Sequence, residues 1–182
     1  MILAMDASIH VQTPHRGRLF RVEVLSWTDE HGRPITREVV RHPGAVLIVP
    51  RLGPDRVVLV SNYRIAVDRE LWELPAGTLE GDESPADAAA RELEEETGYR
   101  AGRIEPLGQF YSSPGFCDEL IHVFVAQELS FVGQRLEPHE QIEAHDFGWS
   151  EALAMIDNGE IRDGKTIAGL LMFDRRGHEA TA

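Results

Sequence analysis

The residues best suited to chemistry in this chain are glutamates that follow one another at helical spacing. Glu92 and Glu95 are three positions apart and Glu92 and Glu96 are four apart, so on a helix their carboxylates are neighbours. Two unit charges about 4 Å apart repel by roughly 4 kcal/mol at an effective dielectric constant near 20, and Arg91 offsets only part of this. A divalent cation can neutralise the cluster, and a site made only of oxygen ligands selects hard ions such as Mg²⁺ or Mn²⁺. From spacing alone, a solvated acidic helix face is an equally good interpretation.

Local signals predict the helix that carries these glutamates. Ser84 is suited to the N-cap, Pro85 to the first helical position, and Asp87 stands three residues after the cap. Gly98 favours a C-terminal stop, so the predicted helix covers residues 84–97. One face of small and apolar residues is expected to be buried. Its members are Ala86, Ala89, Ala90, Leu93 and Thr97.

The elements that must position this helix are mostly predicted strands. Residues 45–50 form a continuous apolar run, which is typical of a strand buried on both faces. Strands are predicted at residues 19–25, 36–41, 45–50, 56–61, 71–77, 107–111, 121–127 and 147–149. Amphipathic helices are predicted at residues 150–158 and 166–173. This order predicts an α/β protein with a mixed sheet covered by helices on both faces.

Composition restricts the class of protein. The 182-residue chain carries a net charge of −13, which disfavours binding to nucleic acid. No apolar run approaches the roughly 20 residues of a membrane span, and the first residues lack the features of a signal peptide. The single cysteine, Cys117, excludes an intramolecular disulfide and fits a reducing cytoplasm. An anionic substrate would be repelled unless bound metal ions supplied positive charge.

Residues 77–99 resemble the Nudix box. That pattern is a glycine, five residues, a glutamate, seven residues, Arg-Glu, an apolar residue, any residue, Glu-Glu, any residue, a glycine and an apolar residue. The fixed positions are matched by Gly77, Glu83, Arg91, Glu92, Leu93, Glu95, Glu96 and Gly98. Tyr99 places an aromatic residue in the last apolar position, which is a mild departure.

Further segments resemble the branch of this family that hydrolyses ADP-ribose and ADP-sugars. Residues 62–64 and 72–77 are similar to the stretch before the box, and residues 112–119 are similar to a proline-containing segment after it. The resemblance covers roughly residues 37–173. The departures are Asn62, where glutamine is commoner, and residues 138–139, where acids are common.

The resemblance implies a Nudix fold, an α/β/α sandwich with a mixed sheet. Residues 1–43 would form a small N-terminal antiparallel β unit that helps build a homodimer, residues 44–176 the hydrolase domain, and residues 177–182 a frayed tail. The implied reaction converts ADP-ribose and water into AMP and ribose 5-phosphate with Mg²⁺. The alternatives are hydrolysis of another nucleotide sugar or a dinucleotide, and a non-catalytic module that senses a nucleotide.

The resemblance also implies roles for the acidic residues. Glu92 and Glu96 would be the main metal ligands, with help from Glu95 and the carbonyl of Ala76. Two residues of the box, Glu83 and Arg91, would orient these glutamates. After the box, Glu140 is the preferred general base or additional ligand, ahead of Glu137 and Glu143; an acidic surface loop is the alternative for this segment.

Substrate contacts are implied less specifically. Arg64 and Glu73 resemble a substrate-positioning pair, although a salt bridge between neighbouring strands is an equally good interpretation. The remaining candidates are Arg41, Phe116 and Glu119, with Trp27 and Phe20 for adenine stacking or for an interface.

One further motif is set aside. Residues 159–166 match the P-loop pattern, but that loop must follow a buried strand, and here a helix is predicted instead. The scattered histidines make a zinc site a poor interpretation.

Overall fold

The computed structural model of this chain describes residues 9–136 and 140–179, with side chains described up to residue 176. These residues form two compact units. The smaller unit contains residues 9–44 and 111–120, and the larger contains residues 45–110 together with the rest of the chain from residue 121. Within the described residues, no helix is long and apolar enough to cross a membrane.

The smaller unit is an antiparallel sheet of three strands in the order β1-β2-β3. The strands are β1 (His10–Arg16), β2 (Arg21–Thr28) and β3 (Pro34–Arg41). β1 was not predicted, because its sequence is polar and contains Pro14. In the structure, its register with β2 shifts between Gln12 and His15. Proline is tolerated on an edge strand, where its missing N–H costs no ladder bond. All of β1 is exposed and every residue of β2 is at least partly exposed, so this sheet is a thin one.

The larger unit contains the predicted mixed sheet. β4 (Ala45–Pro50) lies between β7 (Ala76–Thr78) and β9 (Leu120–Phe131), antiparallel to the first and parallel to the second. β8 (Tyr99–Tyr111) completes this sheet, in the order β7-β4-β9-β8. A second sheet has the order β10-β5-β6. Its strands are β5 (Arg56–Arg64), β6 (Arg69–Glu73) and β10 (Ile142–Gly148).

Three helices cover the sheets: α1 (Pro85–Thr97), α2 (Trp149–Asp157) and α3 (Gly164–Glu179). The side chains of β4 alternate between two clusters. Val46 and Ile48 pack in the cluster that contains α1, and Leu47 and Val49 pack in the larger cluster that contains residues of α2 and α3. The apolar run of β4 is therefore buried on both faces, which confirms the expected arrangement of helices around a mixed sheet.

Several predicted boundaries, and the predicted buried face of α1, were wrong. β10 begins at Ile142, five residues before the predicted strand, and the single strand predicted at residues 71–77 is divided into β6 and β7. β8 begins at Tyr99, eight residues before the predicted start, and Trp149 starts α2 although a strand was predicted to reach it. In α1, Ala86 and Ala90 are exposed, and the buried residues are Ala88, Ala89, Leu93, Glu96 and Thr97. At 100° per residue, the buried face is rotated by roughly 60° toward the glutamates. The cause is that α1 packs on β7 as well as β4, so one glutamate is buried with the apolar side chains.

Candidate active site

The helix α1 is held at both ends by the predicted caps. The Ser84 side chain accepts a hydrogen bond from the Asp87 N–H at 3.2 Å. At the other end, Gly98 has φ 74° and its N–H donates to the Glu94 carbonyl at 3.0 Å. A left-handed residue at this position favours glycine. The glutamates between the caps are therefore fixed at true helical spacing.

Gly77 allows a carboxylate of α1 to lie against the backbone of β7. A Cβ atom at this position would lie 1.9 Å from the Cδ and Oε1 atoms of Glu92. Only glycine leaves this space open, so the first glycine of the box is required by the position of one of its glutamates.

Arg91 lies among three of the predicted acidic residues. Its Nη2 donates to Glu83 at 2.8 Å, and its Nη1 donates to Glu92 at 2.7 Å and to Glu95 at 3.2 Å. The hydrogen bond from Arg91 holds the pKa of Glu83 below its usual value, and the same contact, with those to Glu92 and Glu95, raises the pKa of the arginine. Arg91 thus offsets part of the repulsion between the glutamates through ion pairs with Glu95 and with its sequence neighbour Glu92.

Glu96 is the most deeply buried glutamate of α1, with 5% of its surface exposed. Its Oε2 accepts a hydrogen bond from the Ala76 N–H at 3.0 Å. Burial raises the pKa of Glu96 to about 8; Glu92 and Glu140 also raise this pKa, whereas Arg64 lowers it.

Glu140 belongs to the same electrostatic cluster. It contributes to the raised pKa of both Glu92 and Glu96, although burial is the main cause for each. The structure therefore brings this residue from the loop before β10 to the glutamates of α1. The other candidates differ, because Glu137 lies outside the described residues and Glu143 lies on β10 beside His145 at 3.5 Å.

The chemistry of these side chains fits a hard divalent cation. The donors are carboxylates, and burial of Glu92 and Glu96 disfavours their charged forms unless a cation is close. In the part of the chain that the structure describes, no group of three or more His, Cys, Asp or Glu side chains is already arranged to hold a metal ion. Instead, Arg91 occupies oxygen atoms of Glu92 and Glu95.

Arg64 and Glu73 form a bidentate ion pair between neighbouring strands. Nε and Nη2 of Arg64 donate to the two carboxylate oxygens of Glu73, each at 2.6 Å. Glu73 is buried, with 1% of its surface exposed, whereas 42% of the Arg64 side chain is exposed. Lys165, at the start of α3, also donates to Glu73, and this contact was not predicted because it joins residues 92 positions apart.

The smaller unit holds the other predicted contact residues. Arg41 donates from Nε to Glu23 at 2.8 Å and from Nη1 to Asp118 at 3.0 Å. Glu23 was missed, although its diagonal position across the β2–β3 pair was a usable signal. Asp118 also accepts from the His42 N–H at 2.8 Å, and this bond and Arg41 hold its pKa below the usual value although burial opposes them.

Four more predicted residues of this unit have defined surroundings. Glu119 lies 3.7 Å from the ring of His42, and Phe116 is 59% exposed. Trp27 is a partly exposed residue of β2 opposite Ile35, and Phe20 packs beside His15.

Comparison with known proteins agrees with this geometry. The NUDIX domain family matches residues 41–170. An ADP-ribose pyrophosphatase of Bacillus subtilis is 40% identical over 138 residues, which is 75% of each chain. An ADP-ribose pyrophosphatase of Mycobacterium tuberculosis is 38% identical over 168 residues, covering 90% of this chain and 81% of the relative. A crystal structure of an ADP compounds hydrolase shares the fold, with a TM-score of 0.83 at 22% identity over 97% of this chain and 96% of that one. This chain therefore belongs to the Nudix family and is a Nudix hydrolase.

Proposed function

We propose that this Nudix hydrolase cleaves the diphosphate of ADP-ribose, or of a related ADP-sugar, with Mg²⁺ as its metal ion. The main support is the cluster of Glu92, Glu96 and Glu140, in which the carboxylates of the buried Glu96 and the partly buried Glu92 lie beside the backbone of Ala76 and Gly77 respectively. The names of the two pyrophosphatase relatives support the choice of ADP-ribose.

Glu92 and Glu96 would hold the cation, with Glu95 and the Ala76 carbonyl as further ligands. When bound, Mg²⁺ supplies positive charge to the diphosphate and lowers the pKa of a water molecule. The acidic donors of this cluster select Mg²⁺ or Mn²⁺ over softer metals.

Glu140 would accept the proton of the attacking water. The water oxygen forms a bond to one phosphorus atom, and the bond from that phosphorus to the bridging oxygen breaks. AMP and ribose 5-phosphate leave. During this step Arg91, which bonds Glu83, Glu92 and Glu95, would keep the glutamates in place.

Arg64 would bind a phosphate group of the substrate. The ion pair with Glu73 fixes two of the guanidinium nitrogens of Arg64 and leaves the exposed part of the guanidinium group for the ligand. For the smaller unit, we propose that Arg41, Phe116, Glu119 and Trp27 contribute to binding of the adenosine or the distal sugar.

The thin sheet of the smaller unit supports a homodimer. Its strands bury little of their own surface, so we propose that a second copy of the chain packs against this sheet. Light scattering tests the proposal, and a monomer at micromolar concentration would contradict it. The single cysteine supports a cytoplasmic location.

Product analysis with a substrate panel tests the reaction. The purified protein is incubated with Mg²⁺ and ADP-ribose, ADP-glucose, GDP-mannose or diadenosine diphosphate, and the products are separated by chromatography. We expect AMP release to be fastest from ADP-ribose. Faster cleavage of another compound would change the substrate, and binding without turnover across the panel would favour a nucleotide sensor.

A further inference from the structure

The first turn of α3 is tied to the end of β6 through buried polar contacts. Asp163 accepts hydrogen bonds from the Thr166 N–H at 2.9 Å and the Thr166 hydroxyl at 2.6 Å. The same hydroxyl accepts from the Leu74 N–H at 2.8 Å. Thr166 is fully buried, so these bonds hold α3 in one position against the strand that carries Glu73.

Lys165 extends this network to the ion pair of Arg64. Its Nζ contacts Oε2 of Glu73 at 2.5 Å and Oδ2 of Asp163 at 3.0 Å. Oε2 of Glu73 therefore accepts from two cations, while Oε1 accepts from Arg64. In the described residues, Nη1 of Arg64 has no hydrogen-bond partner, and this nitrogen is the one left for a ligand.

We propose that Lys165 is a positioning residue for Arg64: by sharing Glu73 and neutralising Asp163, it keeps the free end of the guanidinium available for a phosphate of the substrate. This inference rests on the proposed hydrolysis of a nucleoside diphosphate derivative. It also gives a role to Lys165 of residues 159–166, the segment whose match to the P-loop pattern was set aside in the sequence analysis.

The balance of charge explains why Lys165 is needed. Glu73, Glu96 and Asp163 all attract Arg64, and Lys165 contacts Glu73 and Asp163, so two cations compensate these three acidic groups. Without Lys165, a single guanidinium would face all three acidic groups, two of them almost completely buried. The arginine would then be drawn toward Asp163 and away from the substrate, because an unpaired buried charge is costly.

Direct binding of substrate by Lys165 is a less favourable interpretation. Two of the three ammonium donors already point to carboxylates, and only 20% of the side chain is exposed. A role limited to stability is the remaining alternative, and kinetics separates it from positioning.

The test compares KM and kcat of Lys165→Met with those of the wild type on the best substrate of the panel. Removal of a ground-state phosphate contact raises KM by about tenfold or more and changes kcat by less than about threefold. Lys165→Arg should restore most of the affinity. Arg162→Met is the matched control, because it removes an exposed cation three residues before Lys165. In the described residues, Arg162 donates its hydrogen bond to the Gly159 carbonyl, so the KM of this variant should be unchanged.

A double-mutant cycle identifies the partner. If Lys165 acts through Arg64, adding Lys165→Met to Arg64→Met should raise KM no further. An unchanged KM in Lys165→Met, or additive effects in the cycle, would overturn the inference while the proposed function stands. Lys165→Gln gives the same comparison if the methionine variant does not fold. No turnover by the wild type across the panel would overturn both proposals.

Discussion

Gly77→Ala is the most specific perturbation of the site, because it adds one carbon atom that would clash with one functional group, the carboxylate of Glu92. The added Cβ would lie 1.9 Å from Cδ and Oε1 of Glu92 and 2.5 Å from Oε2. The backbone of Gly77 does not have a positive φ, so alanine can adopt it without strain. The new methyl group therefore acts on the carboxylate rather than on the strand.

The structure gives the size of the displacement. The carboxylate of Glu92 must retreat by about 1.5 Å to reach the 3.4 Å at which ordinary contact begins. A misplacement of about 1 Å costs a reacting group on the order of 100-fold, so we expect kcat/KM to fall by at least that factor. The fold should survive, since the far end of a flexible side chain moves, and alanine in place of glycine in a strand stabilises by about 0.5–1 kcal/mol.

The assay pairs steady-state kinetics with Mn²⁺ titration and thermal unfolding in chelator. Gly77→Ala should lose activity and Mn²⁺ affinity while its Tm stays at or above that of the wild type. Gly164→Ala is the control, because open space surrounds its added Cβ. Wild-type kcat/KM and Mn²⁺ affinity in Gly77→Ala would refute the placement of Glu92 at a metal site, and a large fall in Tm would refute the view that only a side chain moves.

Three further predictions follow from the same cluster. Glu96→Gln keeps the shape of the side chain but removes a ligand charge, so most activity should be lost in kinetic assays while circular dichroism is unchanged. Arg91→Lys replaces a guanidinium group that bonds three carboxylates, so kcat should fall by about 10- to 100-fold, as is typical when a group that orients metal ligands is lost. An unchanged kcat would contradict the orienting role. In chelator, the Tm should fall as pH rises from 4.5 to 8, because the unfolded state releases the Glu96 proton near 4.5 and the folded state near 8. This change is worth at most about 5 kcal/mol, and Mg²⁺ should restore Tm at pH 8 but not at pH 5; a Tm that rises with pH in chelator would contradict the burial of a neutral Glu96.

The prediction of α1 succeeded because its signals are local. Ser84 and Gly98 act on backbone groups within one turn, so their effect is independent of the rest of the chain. The buried face was predicted less well, because β7 and β4 together determine which side of α1 is covered. The burial of Glu96 among apolar residues contradicts ordinary hydrophobic patterning, and such local conflicts are expected at functional sites.

The contacts that sequence reasoning missed join distant parts of the chain. Lys165 meets Glu73 across 92 positions, and Arg41 meets Asp118 across 77. Spacing within one element gives no information about such pairs, since they depend on how strands and helices are brought together. The candidates for substrate contact were therefore chosen by resemblance. The pairing of Arg64 with Glu73 was anticipated as an alternative, whereas the partners of Arg41 could be seen only in the fold.

The charges around the cluster explain why metal should control binding as well as rate. Among the described residues that interact around the cluster, seven carboxyl groups face three cationic side chains. The acids are Glu73, Glu83, Glu92, Glu95, Glu96, Glu140 and Asp163, and the cations are Arg64, Arg91 and Lys165. Each cation is already shared with at least one acid, so an incoming diphosphate meets an excess of negative charge. The proposed divalent cation should then precede or accompany the substrate, and the affinity for a diphosphate should fall in chelator even though no bond is broken. A substrate that bound equally well with and without Mg²⁺ would mean that these carboxyl groups do not face the diphosphate.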